Sequence, residues 1–202
     1  MNFLEKKKIL LIISGGIAAY KSLDLIRSLI KIQCEVKTIL TKGGSEFVTP
    51  LSITSLSKNK VYSDMYSVEN ESEMDHISLS RWADLILIAP ATSNIIAKMS
   101  QGISDDLATT VVQASNKSIF VCPAMNVRMW EHASNKQNLE KIKSYNYRII
   151  GPFNGEMACG EYGDGRMADI EYILKELDNF FKSKSSNKKY RAIVTAGPTQ
   201  EY

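Results

Sequence analysis

The sequence predicts an α/β protein built on a doubly wound, mostly parallel sheet, and three observations predict it. Apolar runs of strand length recur along the chain, at residues 8–14, 35–40, 85–89 and 119–122. Segments with helical spacing of apolar residues alternate with them. The runs are apolar at successive positions, as in strands covered by helices on both faces.

Lys8 to Ser14 reads as the first strand, ended by Gly15-Gly16. A helix follows over residues 17–32, with Ile17, Tyr20, Leu23, Ile26, Leu29 and Ile30 on one face. Glu35 to Leu40 is the second strand, and residues 41–45 turn into a short helix near Glu46. Pro50 suits the first turn of a helix reaching Leu56. Residues 61–75 are polar and carry no clear period. Leu85 to Ala89 is the most hydrophobic strand, and Pro90 to Asn94 leads into a helix ending about Met99. Residues 105–114 read as helix, 119–122 as strand, 135–145 as helix and 148–150 as a short strand. Residues 151–167 read as an irregular glycine-containing loop, and 169–181 as an amphipathic helix. Residues 182–190 are polar and read as a linker. A fresh strand starts at Arg191, so a second domain is expected to be cut off or encoded elsewhere.

With 202 residues the chain can bury one sizeable core and begin another domain. Its 44% hydrophobic and 23% charged content is that of a soluble globular protein. A net charge of +3 with scattered lysines gives no argument for nucleic acid. The longest apolar run is far short of a membrane span, and Gly15-Gly16 breaks the resemblance of the N-terminus to a signal peptide. A cytoplasmic protein is expected. Cys34, Cys122 and Cys159 are odd in number and widely spaced, against a disulfide framework or a zinc site. His76 and His132 are the only histidines, so no metal site is expected.

In an open parallel sheet, ligands bind beyond the carboxyl ends of the strands. Three such ends carry small or hydroxyl residues: Ser14-Gly15-Gly16, Thr41 to Ser45, and Ala91-Thr92-Ser93-Asn94. Glycine lets a backbone approach a ligand and a helix N-terminus favours an anion. The first turn lacks the GxGxxG spacing and no Walker A motif occurs, so three converging turns favour a mononucleotide over a dinucleotide.

A fourth end carries Pro123-Ala124-Met125-Asn126, with Met129 and Trp130 close behind. Asn126 can donate and accept at that edge; alternatively it is a turn residue starting a helix above ordinary core. His76 is either a structural hydrogen-bonder or a chemical group, and Arg81 either grips an anion or makes a surface pair. Cys159, among Gly160, Gly163 and Gly165, is either a small buried residue or a proton donor on a mobile loop. Cys34 and Cys122 belong to the strands and read as structural.

Together these stretches resemble the homo-oligomeric flavin-containing cysteine decarboxylases over roughly residues 8–181. The motifs that carry the resemblance are Ser14 to Lys21, His76 with Arg81-Trp82-Ala83-Asp84, Ala89 to Asn94, Pro123 to Asn126, and Ala158-Cys159-Gly160 through Gly165-Arg166-Met167. The resemblance is nearest to the coenzyme A branch, the phosphopantothenoylcysteine decarboxylases. There the decarboxylase forms the first half of a bifunctional protein, and Arg191 to Thr199 looks like the opening of its ligase half. It implies a Rossmann-like flavoprotein fold and FMN as cofactor. It implies decarboxylation of 4′-phospho-N-pantothenoylcysteine to 4′-phosphopantetheine through thioaldehyde and enethiol intermediates. By the same resemblance, Gly15, Gly16, Ile17, Thr41, Ser45, Phe47, Thr92, Ser93 and Asn94 line the FMN site. His76 assists the oxidative decarboxylation, Asn126 holds the substrate carboxylate, and Cys159 donates the final proton. Arg81 and Met129 are further substrate contacts. The resemblance also implies a trimer, or an assembly of trimers, with Trp130 near its interface. The rival readings are a peptidyl-cysteine oxidative decarboxylase, a flavin prenyltransferase, a non-catalytic flavoprotein acting by binding a partner, and a plain nucleotide-binding module.

Overall fold

The computed structural model describes residues 2–63 and 75–186. Its strands are β1 (Lys8–Ile13), β2 (Glu35–Leu40), β3 (Val61–Tyr62), β4 (Leu85–Ala91), β5 (Ser118–Pro123), β6 (Arg148–Ile149), β7 (Phe153–Glu156) and β8 (Tyr162–Arg166). Its helices are α1 (Lys21–Lys31), α2 (Lys42–Ser45), α3 (Pro50–Ser57), α4 (Asp75–Trp82), α5 (Ser93–Gln101), α6 (Leu107–Gln113), α7 (Val127–Glu131), α8 (Ala133–Ser144) and α9 (Ile170–Ser186). A 3-10 turn over Ile17–Tyr20 precedes α1.

The central sheet has six strands in the order β3-β2-β1-β4-β5-β6, and all five pairings are parallel. The apolar runs explain its two covered faces. Ile9, Leu11 and Ile13 of β1 join one core cluster with Leu25 and Leu29 of α1 and Ile173 and Leu177 of α9. Leu10 and Ile12 point the other way, into a second cluster with Ile95 of α5, Val111 of α6 and Leu139 of α8. Chain order reverses between β1 and β4, so a crevice opens beyond their carboxyl ends.

Several elements differ from the sequence reading. The helix expected over 17–32 begins as a 3-10 turn, and α1 starts at Lys21. β4 continues through Pro90 to Ala91, where the pairing with β5 shifts register; proline in a strand is tolerated at such an irregularity. β3 occupies the start of the segment that showed no clear period, and α4 begins at its last residue and fills 76–82, to which the sequence reading gave no element. α7 adds a short helix after Asn126. The stretch read as an irregular loop contains an antiparallel hairpin of β7 and β8. α9 runs on to Ser186, into the stretch read as linker. There the Ser183 hydroxyl donates to the Phe180 carbonyl at 2.8 Å and Lys184 lies over the Phe180 ring. Once Phe180 and Phe181 anchor the helix, polar residues propagate it at little cost. The strand expected from Arg191 lies outside the described residues. No helix among the described residues is long and apolar enough to cross a membrane.

Thr38 is one of the buried groups that work against the fold. This residue of β2 is fully buried, and its Oγ1 has no hydrogen-bond partner among the described residues. Valine has the same shape without the stranded hydroxyl. Thr38→Val is therefore expected to raise unfolding stability by about 1 kcal/mol, measured by urea denaturation.

Candidate active site

Two cavities open at the carboxyl edge of the sheet and share Gly16 in their walls. The larger, about 870 Å³, lies at the reversal point. It is walled by the turns after β1, β2 and β4: Gly15, Thr41 and Thr92 all line it, with Asn94, Phe47 and Met129. The hydroxyls that look free in the sequence are largely engaged in building these turns. Thr41 Oγ1 accepts from the Gly44 amide at 3.1 Å, and Thr92 Oγ1 accepts from the Ile95 amide at 3.4 Å. Ser14 ties β1 to β4, donating to the Pro90 carbonyl at 2.7 Å and accepting from the Thr92 amide at 3.1 Å. A Cβ on Gly15 would come within 3.1 Å of the Gly43 carbonyl oxygen, so the first two turns touch backbone to backbone. The cavity wall thus offers the amino terminus of α5 to an anion, and the exposed side chains of Phe47 and Met129 to something flat and apolar.

A charged cluster on this wall was not singled out from the sequence. Lys98 bridges Asp105 at 2.7 Å and Asp106 at 3.2 Å. The Asp105 hydrogen bond is the main cause holding the Lys98 ammonium above its ordinary range. Burial pushes the Asp106 carboxyl up, but the Thr109 amide and hydroxyl together with Lys98 bring it below the usual range. Its signal in the sequence was the N-cap spacing of Asp106 to Thr109, where Asp106 Oδ1 accepts from the Thr109 amide at 2.8 Å.

The smaller cavity, about 340 Å³, brings Asn126 and Cys159 together with Ile17, Lys21 and Arg166. Asn126 caps α7, its Oδ1 accepting from the Met129 amide at 2.8 Å. The carbonyl oxygen thus starts a helix, as the turn reading of this residue has it, and the residue also lines the cavity. Met125 and Trp130 are half-buried against the second core cluster. The hairpin arrives from the other side. The Met125 amide donates to the Gly165 carbonyl at 3.0 Å, which docks β8 on the Pro123–Asn126 segment. Cys159 lies between β7 and β8, exposed, with its thiol 3.7 Å from Glu161 Oε2. The other cysteines are packing residues. Burial pushes the Cys34 thiol up to about 11 and the Cys122 thiol higher still.

Ser45 and Ser93 line neither cavity; Ser45 Oγ donates to the Lys42 carbonyl at 2.8 Å. His76 and Arg81 lie on α4, the first half-buried and the second exposed, and also line neither.

A family model described as Flavoprotein matches residues 2–182. The chain belongs to the flavoprotein family. It is 42% identical, over 98% of its length and 50% of the relative's, to the coenzyme A biosynthesis bifunctional protein CoaBC of Haemophilus influenzae. It spans about half the length of the curated relatives it matches. Among solved structures, a cysteine-to-serine mutant of PPC decarboxylase complexed with pantothenoylaminoethenethiol superposes with a TM-score of 0.78. The two are 29% identical, over 88% of this chain and 100% of that one. The FMN binding protein AtHal3 superposes with a TM-score of 0.75 at 32% identity, over 89% of this chain and 98% of that one. Its six-stranded sheet with helices on both faces is the Rossmann-like architecture these flavoproteins share.

Proposed function

We propose that this chain is an FMN-dependent phosphopantothenoylcysteine decarboxylase, converting 4′-phospho-N-pantothenoylcysteine to 4′-phosphopantetheine in coenzyme A biosynthesis. The observation that carries the reading is the junction at Gly16: a cavity suited to a mononucleotide opens beside one bearing Asn126 and Cys159. The 42% identity to a coenzyme A biosynthesis protein supports the same substrate. The residues fit FMN. Gly15 closes the turn backbone to backbone, the α5 amino terminus suits the phosphate, and Phe47 and Ile17 give apolar cover for a flat ring system. Gly15, Gly16, Ile17, Thr41, Phe47, Thr92 and Asn94 would hold it, with Ser45 and Ser93 buttressing the turns. When bound, FMN accepts an electron pair and returns it, so the conversion has no net redox change.

The chain's own residues bind, orient and protonate. The Asn126 amide nitrogen, its carbonyl already taken by the Met129 amide, is the donor left for the substrate carboxylate. Cys159 supplies the proton at the enethiol carbon in the last step, and the Glu161 carboxylate beside it accepts the thiol hydrogen bond. Met129 borders the flavin side of the substrate. His76 and Arg81 assist from outside the two cavities of a single copy. That placement, and the exposed Ile17, Tyr20 and Tyr162, support a homo-oligomer in which a second copy completes the site. The reading includes a trimer or an assembly of trimers, a cytoplasmic location, and a ligase domain in the same or a separate chain.

The test is a visible absorption spectrum of the purified chain, followed by mass spectrometry with phosphopantothenoylcysteine. Bound flavin and loss of carbon dioxide are expected. Flavin without decarboxylation would favour the peptidyl-cysteine or partner-binding readings. A protein unable to take up added FMN would overturn the proposal.

A further inference from the structure

The smaller cavity carries charge that neither the redox chemistry nor the protonation step uses. Lys21 opens α1 on the cavity wall, half-buried, with no ion-pair partner among the described residues. Arg166, at the end of β8, grips Asp169 with both terminal nitrogens at 2.9 and 3.2 Å. Its Nε is buried and has no hydrogen-bond partner among the described residues. Burial, then the nearby Arg166 guanidinium, pull the Lys21 ammonium below the ordinary lysine range, and Asp169 only partly opposes them. Two cations thus face one cavity, and the Asp169 carboxylate near them is already engaged by Arg166. Such an arrangement is relieved by an incoming anion.

The hairpin register says which end of a ligand this charge meets. Phe153 pairs with Arg166 at the base, and Glu156 pairs with Tyr162 next to the turn that carries Cys159. From Phe153 to Glu156 is a run of roughly 10 Å, at about 3.3 Å per strand residue. Glu156, the one carboxylate on this cavity's wall among the described residues, stands at the thiol end and does not offset the base. The cavity therefore has a cationic base and a thiol-bearing tip.

We propose that Lys21 and Arg166 form the subsite for the terminal phosphate of the substrate, anchoring the end opposite its cysteine moiety. The inference rests on the decarboxylase reading and deepens it. A compact ammonium and a partly spoken-for guanidinium suit a phosphate oxygen cluster better than a neutral chain end. The pair makes the site discriminate against cysteine-terminated peptides, which lack that group and would leave both cations unanswered.

The test uses the flavin-loaded chain and two substrates, 4′-phospho-N-pantothenoylcysteine and N-pantothenoylcysteine. The readout is the ratio of their kcat/KM values. Lys21→Gln is expected to lower that ratio about tenfold, the size of a lost charged hydrogen bond, acting through KM. Lys21→Arg is expected to restore most of it. Lys21 carries the test because Arg166 also holds Asp169 at the start of α9, and its variants would disturb the fold. An unchanged ratio, whether both substrates suffer equally or neither does, would overturn the subsite; equal losses would assign Lys21 to the carboxylate or to structure. Should the wild-type chain decarboxylate neither substrate, the functional reading falls on its own. Titration of inorganic phosphate, followed by phosphorus NMR, then judges the subsite directly. Binding weakened in Lys21→Gln supports it, and equal binding overturns it.

Discussion

Replacing Cys159 with serine is expected to stop the reaction one step short: carbon dioxide is released, but the enethiol accumulates in place of 4′-phosphopantetheine. A serine hydroxyl is a far weaker acid than a thiol, so the last protonation loses its donor while the steps before it keep theirs. The loss of saturated product is expected to exceed a hundredfold, within the range of about 10²–10⁴ for removing a positioned acid. The related decarboxylase bearing a cysteine-to-serine change is complexed with an enethiol of the same kind. Mass spectrometry separates the two products directly, and a parallel assay of carbon dioxide separates the two steps. If the variant yields saturated product at the wild-type rate, Cys159 is not the donor. Glu161, whose carboxylate already meets the thiol, would be the next group to examine.

The fold was legible wherever burial on both faces forces a contiguous apolar run. β1, β2, β4 and β5 could be read for that reason, and with them the edge at which their turns must meet. That Gly15, Thr41 and Thr92 would come together was legible because parallel strands bring their following turns to one edge, and all three line one cavity there. The hairpin was not. Asn154, Gly155, Gly163, Asp164 and Gly165 have poor strand propensity, and β7 and β8 owe their shape to docking. The Gly165 carbonyl accepts from the Met125 amide and docks the hairpin, while Asn154 Nδ2 donates to Asp164 Oδ1 at 3.0 Å between its own strands. α4 hid because few of its residues face the core; Leu79 is the buried one among its large apolar side chains. Lys21 and Arg166 stood inside quoted motifs, yet nothing local says that the start of one helix will lie near the end of a distant hairpin. Such neighbours follow from topology, and the sequence carries no period for them.

Replacing Gly165 with alanine is expected to be the most damaging single change to the site's framework, costing about 3 kcal/mol and most of the activity. Two effects coincide there. The residue has φ +137°, a conformation that side-chain-bearing residues rarely adopt, and an added Cβ would collide with the Met125 carbonyl oxygen and lie 2.9 Å from the Met157 methyl. The first obstacle is backbone and cannot swing aside. Gly163 repeats the theme one step away, where a Cβ would meet Val127 at 2.9 Å. The two glycines let β8 lie flush against the segment that carries Asn126, and both segments wall the smaller cavity. Gly160 supplies the control. It has φ +81°, but nothing lies within 4 Å of where a Cβ would stand. Gly160→Ala therefore isolates conformational strain and is expected to cost about 1 kcal/mol. Thermal unfolding ranks the two variants, and proteolysis of the hairpin reports whether it has lifted from α7. If Gly165→Ala is no worse than Gly160→Ala, close packing against Met125 is not what seats the hairpin. The wall joining Asn126 to Cys159 would then need another explanation.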